Sequence, residues 1–147
     1  MRLEEIIKQC TQEKEKLLWA AEEEREAIAY RKIQVFFGLP GLSDIVEQAG
    51  VELEESEKLG KLFELVDRVT ASTTKAEAFV ADRKTTDDGI DAICVETMDG
   101  RRRWINKDLT EAFAFGRKYW IDETEECENM VFIEEKGEIA GIVMVLR

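Results

Sequence analysis

With 147 residues, 44% hydrophobic and 37% charged, the chain is long enough to bury one core and too apolar to remain disordered. Its net charge of −12 repels a phosphate backbone, so direct nucleic-acid binding is disfavoured and a basic protein partner is favoured. There is no histidine, which removes Ser-His and Cys-His nucleophiles, the commonest general base and most zinc sites.

Catalysis would have to rest on carboxylates, lysine or tyrosine. With 33 Asp and Glu residues in the chain, the mere nearness of two carboxylates carries no information. Cys10, Cys94 and Cys127 stand far apart without C-x-x-C spacing, which suits a reduced, cytoplasmic protein. No apolar run is long enough to cross a bilayer and the first residues are charged, so neither a membrane span nor a secretory signal is expected. Neither a glycine-rich phosphate loop nor a nucleophile elbow occurs, and no cofactor is expected.

In chain order, residues 2–37 read as one long helix. Leu3, Ile6, Ile7, Cys10, Leu17, Leu18, Ala21, Ile28 and Val35 recur at threes and fours among good helix formers. Gly38-Leu39-Pro40-Gly41 is the stop. Such a rod would span about 54 Å at 1.5 Å per residue. A compact chain of this size has a radius of gyration of roughly 15 Å. The rod would therefore project or meet a partner, and a homo-oligomer is expected. A short helix follows over residues 42–51, then a second long helix over residues 54–80 with Leu59, Leu62, Phe63, Val66, Val69, Phe79 and Val80 on one stripe.

Beyond the turn Thr85-Thr86-Asp87-Asp88-Gly89 the apolar period becomes two. A hairpin turning at Asp99-Gly100 joins residues 90–97 to 101–106, with Glu96 opposite Arg103 and Val95 opposite Trp104. A short helix ends near Arg117, and residues 119–129 form an acidic connection. A second hairpin turns at Glu135-Lys136-Gly137 into residues 138–146. That last strand is apolar on both faces and so belongs at the centre of a sheet. The predicted fold class is α+β: a helical N-terminal half (1–84, two long helices and one short), then a small antiparallel β-sheet with one short helix (85–147), in one domain.

Two stretches carry family resemblances. Asp44-Ile45-Val46-Glu47-Gln48-Ala49-Gly50-Val51 resembles the first helix and turn of a helix-turn-helix, although Glu52, Glu54, Glu55 and Glu57 would then fill the recognition helix and oppose phosphates. Asp87-Asp88-Gly89-Ile90-Asp91, entering a strand that leads through a hairpin to Lys107, resembles the core of restriction-endonuclease-like nucleases. That resemblance implies a Mg²⁺ carboxylate at Asp91 and a charge-stabilising lysine at Lys107, with Ile105 standing where the family carries a second ligand.

Two surface patches are candidate binding sites. Arg101, Arg103, Trp104 and Lys107 combine cations with an aromatic ring, as an anionic small ligand would require. Their alternative role is internal ion pairing. Glu22, Glu23 and Glu26 belong to an acidic run suited to a basic partner. The expected function is that of a non-enzymatic, acidic interaction protein that binds and modulates a basic macromolecule, by analogy with phage or mobile-element inhibitors that occupy nucleic-acid-binding surfaces. A Mg²⁺-dependent nuclease and a sensor of an anionic small ligand are the alternatives.

Overall fold

Only the start of the N-terminal apolar stripe is helical. In the computed structural model, which describes residues 2–146, α1 (Leu3–Glu13) buries Ile6 and Cys10 and stops at Lys14, whose φ of 55° is left-handed. Three antiparallel strands follow: β1 (Leu17–Ala21), β2 (Glu26–Tyr30) and β3 (Gln34–Gly38). The long first helix is overturned, and the inference of an oligomer from an uncovered rod loses its premise. Trp19, Ile28, Tyr30, Val35, Phe36 and Phe37 are the β-branched and aromatic types that fit a pleated, buried surface. All five residues of β2 are buried, more than a helix on the outside of a domain could achieve.

The turns between these strands lack the usual glycine, asparagine and proline. Glu22-Glu23-Glu24-Arg25 turns β1 into β2, with the Glu22 N–H donating to the Arg25 carbonyl at 2.9 Å. Between β2 and β3, Arg31 (φ 51°) and Lys32 (φ 59°) are both left-handed, at roughly 1–2 kcal/mol each. The Arg31 guanidinium offsets part of this by reaching Glu13 (2.9 Å) and Glu15 (2.8 Å) and lying 4.9 Å over the Tyr30 ring.

Next come α2 (Leu42–Gln48), β4 (Leu53–Glu55), which pairs parallel to β1, and α3 (Glu57–Thr70). A strand thus occupies the place where the helix-turn-helix resemblance put a recognition helix. The expected second long helix shrinks to α3, capped by Ser56, whose hydroxyl accepts the Leu59 N–H at 3.2 Å. After α3, the Ser72 and Thr74 hydroxyls donate to the buried Asp122 carboxylate at 2.8 and 2.9 Å. They steer the chain into β5 (Lys75–Thr85).

The remaining elements are β6 (Asp91–Thr97), β7 (Arg102–Asn106), α4 (Lys107–Thr110), β8 (Lys118–Asp122), β9 (Met130–Glu135) and β10 (Glu138–Met144). Here both predicted hairpins form. The short helix is a single turn rather than a segment reaching Arg117, and β8 replaces the start of the expected connection. The β6–β7 register is also one residue off: Cys94 faces Trp104 and Val95 faces Arg103. The loop is Met98-Asp99-Gly100, closed by the Thr97 N–H on the Arg101 carbonyl at 2.9 Å, so it holds three residues rather than two. A one-residue slip moves every side chain across the sheet, and Trp104 lies on the face opposite Ile93 and Val95.

All strands join one sheet of ten, ordered β4-β1-β2-β3-β10-β9-β8-β5-β6-β7. The fold is therefore a mixed sheet dressed with four helices, and the predicted division into a helical half and a sheet half is corrected. β10 does lie centrally, between β3 and β9. Ile142 faces the α3 side with Phe63, Val66 and Phe132, and Val143 faces a second core with Ile6, Tyr30, Ile93 and Ile133. At the far edge the sheet curls back, for the Leu146 N–H donates to the Trp104 carbonyl of β7 at 2.8 Å. Among the described residues no helix is long and apolar enough to cross a membrane.

Candidate functional site: an acidic groove between two hairpin tips

β3 and β10 pair only from Gln34–Val143 to Phe36–Gly141. In β10 the register against β9 shifts between Ile139 and Gly141, so Ala140 is an extra residue and the strand bends there. Gly141 permits the Phe113 ring to press against this junction: a Cβ at that position would stand 2.6 Å from the Val35 carbonyl oxygen and closer still to the ring. Phe113 in turn stacks on Phe36, with ring centroids 5.4 Å apart. The β3–β10 register ends at Phe36–Gly141, while Phe37 and Gly38 stay paired with β2 and Glu138 and Ile139 with β9.

A groove of about 820 Å³ opens at this point, within the range of ligand-binding clefts. One rim is the β1–β2 tip, Glu22-Glu23-Glu24, and the other is the β9–β10 tip, Glu135-Lys136-Gly137-Glu138. α3 contributes Val66, Asp67 and Thr70, and the apolar lining includes Phe37, Leu39, Ile139 and Ala140. Leu39 is 79% exposed. Phe115, also fully exposed, follows Ala114, whose N–H donates to the Glu135 carboxylate at the groove's edge.

The lining holds six carboxylates, Glu22, Glu23, Glu24, Asp67, Glu135 and Glu138, against two cations, Arg25 and Lys136. Arg25 is already engaged. It makes a two-pronged bond to Asp67 (2.8 and 2.7 Å), reaches Glu22 at 3.0 Å and the Phe63 carbonyl at 3.3 Å, and lies 4.9 Å over the Phe63 ring. The hydrogen bond from Arg25 holds the Asp67 carboxyl below its ordinary range, so this wall of the groove stays charged under mild acid.

Of the sequence-predicted acidic residues, Glu22 and Glu23 line the groove and Glu26 does not. Glu26 is 5% exposed and ties β2 to the start of α2. Its carboxylate accepts from Trp19 Nε1 at 2.6 Å, the Gly41 N–H at 2.5 Å and the Ser43 N–H at 3.5 Å. Burial pushes this carboxyl up, but the hydrogen bonds from Ser43, Trp19 and Gly41 outweigh it and leave the group below the usual glutamate range.

The basic residues are dispersed. Arg101 reaches Asp99 at 3.2 Å and the Thr74 carbonyl at 3.2 Å, while Arg103 donates to the Glu128 carbonyl at 3.1 Å and the Arg102 carbonyl at 2.9 Å. Trp104, on the opposite face, carries the Lys84 ammonium 4.3 Å from its ring centre, and Lys107 pairs with Glu111. Arg101 and Lys107 thus pair with carboxylates, Arg103 bonds main-chain carbonyls while Arg102 takes Glu96, and Trp104 lies on the other face of β7. Asp91 gives both oxygens to Arg83, at 2.9 and 2.7 Å, and Ile105 is fully buried. Among the described residues no three His, Cys, Asp or Glu side chains are grouped to hold a metal ion.

Glu24, Asp67, Glu135, Glu138 and Leu39 are groove residues that the sequence did not single out. The turn Glu135-Lys136-Gly137 was legible as a hairpin tip, but nothing in the sequence put it beside Glu22-Glu23-Glu24. Comparison of the chain with family models, curated proteins and solved structures finds no significant match in any of the three.

Proposed function

We propose that this chain is a non-enzymatic interaction protein that holds a basic segment of a partner macromolecule in the acidic groove. One observation carries the reading: six carboxylates and two cations surround an apolar trough, and one of those cations, Arg25, is bound to Asp67 and Glu22. A segment rich in lysine or arginine, with apolar residues between, meets both features. Its charges lie against the rim and its apolar side chains against Phe37 and Ile139. The net charge of −12 adds a long-range attraction that salt screens.

The test is calorimetric titration with a blocked peptide of about eight residues, alternating lysine and valine, which spans roughly 26 Å when extended. Affinity should fall as salt rises from about 0.05 M to about 0.5 M. It should also fall roughly tenfold in the Glu23→Lys/Glu24→Lys double variant, since each exposed pair contributes up to about 1 kcal/mol. Affinity indifferent to both salt and charge reversal refutes the proposal.

A further inference from the structure

The wall of the groove holds a complete receptor for a guanidinium, and Arg25 fills it. Arg25 Nη1 and Nη2 donate to the two Asp67 oxygens at 2.8 and 2.7 Å, and Nε donates to Glu22 at 3.0 Å. Nη2 also reaches the Phe63 carbonyl at 3.3 Å, and the guanidinium carbon lies 4.9 Å from the centre of the Phe63 ring. A carboxylate fork, a side-on acceptor and an aromatic face are features that a planar guanidinium satisfies together and a compact ammonium does not. Glu22 and Asp67 both line the groove, as does Arg25 itself. Phe63 supports the receptor from below: it is buried in α3, and Phe37 of the groove packs on it with ring centroids 5.9 Å apart.

We infer that Arg25 is an internal stand-in for an arginine of the basic partner, whose guanidinium displaces it from Asp67, Glu22 and the Phe63 ring. The inference rests on the groove being the partner site and names the side chain that the site selects. Two observations favour exchange over a permanent bond. The Glu22 and Asp67 side chains are 48% and 63% exposed, and ion pairs that open to solvent hold only weakly. Arg25 also ends the turn Glu22-Glu23-Glu24-Arg25, so the released guanidinium keeps Glu23 and Glu24 as neighbours in the chain. Because one guanidinium replaces another, the carboxylates and the Phe63 carbonyl all regain a donor when the exchange is complete. Lysine has no such entry. Its ammonium forfeits the fork and the stacking, so it leaves Arg25 in place and binds at the rim alone. Arg25 is thus an autoinhibitory contact that admits arginine and turns lysine away.

The experiment compares the lysine–valine peptide with the same peptide carrying arginine for lysine, on the wild type and on Arg25→Lys. That substitution keeps the charge of the groove and removes the competing fork. On Arg25→Lys the arginine peptide should gain about tenfold in affinity while the lysine peptide stays within about twofold of its wild-type value. Adding Asp67→Asn should erase the gain. In the wild type, the Arg25 Nε–H proton should exchange faster with water when the arginine peptide is bound and keep its rate when the lysine peptide is bound. Displacement is overturned, while the groove remains a basic-partner site, if both peptides respond alike to Arg25→Lys, if the gain survives Asp67→Asn, or if the arginine peptide leaves the Nε–H rate unchanged. If neither peptide binds at low salt, both conclusions fall.

Discussion

Glu26 offers the sharpest test of how the N-terminal strands are held. Replacing it with alanine leaves Trp19 Nε1 and the Gly41 N–H without the carboxylate that accepts them at 2.6 and 2.5 Å; the Ser43 N–H, at 3.5 Å, is too distant to count fully. Hydrogen bonds to a charged group contribute about 1.5–3 kcal/mol each. Water entering the vacated space recovers part of that, so a net loss of about 2–4 kcal/mol is expected. With a urea slope of about 1–3 kcal/mol per molar, the unfolding midpoint should fall by roughly 1–2 M. The pH dependence is a second, independent readout. The folded carboxyl titrates below the unfolded one, so its stabilisation is complete above the unfolded value of about 4.3 and drains away as pH falls through the folded value. The gap between wild type and Glu26→Ala should therefore be full at neutral pH and narrow below about pH 4. A midpoint shift under about 0.5 M at neutral pH, or a gap that stays constant into strong acid, would refute the assignment of Glu26 as a buried staple.

Two further substitutions probe the groove and its support. Gly141→Ala forces a Cβ against the Phe113 ring and the Val35 carbonyl and should destabilise by about 2 kcal/mol or more. Gly38→Ala meets only the flexible end of Leu42 at 3.1 Å and should change stability by less than about 1 kcal/mol; thermal unfolding of the pair checks the contrast. Arg25→Ala loses a partly exposed clamp, worth about 0.5–1.5 kcal/mol in the same assay. It should also bind the lysine–valine peptide a few-fold more tightly, because one of the two groove cations is gone.

The C-terminal part of the fold was readable because its signals are local. Asp99-Gly100 and Glu135-Lys136-Gly137 announce hairpins, and the doubly apolar run within residues 138–146 announces a central strand. The N-terminal part was not readable, for two physical reasons. Leu17, Ala21, Ile28 and Val35 fit a helical period as well as they fit three short strands, and burial of whole strands, invisible in one sequence, decides between them. The turn at Arg31-Lys32 is held left-handed by tertiary contacts to Glu13 and Glu15 rather than by turn-forming residues. A helix over residues 2–37 places Glu22, Glu23 and Glu24 along a helix face, whereas the strands β1 and β2 bring them together at a hairpin tip. The groove was therefore only half visible, through Glu22 and Glu23.

The position of β10 bears on how the molecule comes into being. It is last in order among the ten strands, yet it sits between the four strands that begin with β4 and the five that end with β7. Until it docks, β3 and β9 are raw borders of two separate half-sheets, and the contacts that join them span about a hundred residues of chain. A nascent or shortened chain lacking this keystone would expose both borders to neighbouring molecules. Assembly should accordingly be slow and cooperative, waiting on a single late insertion.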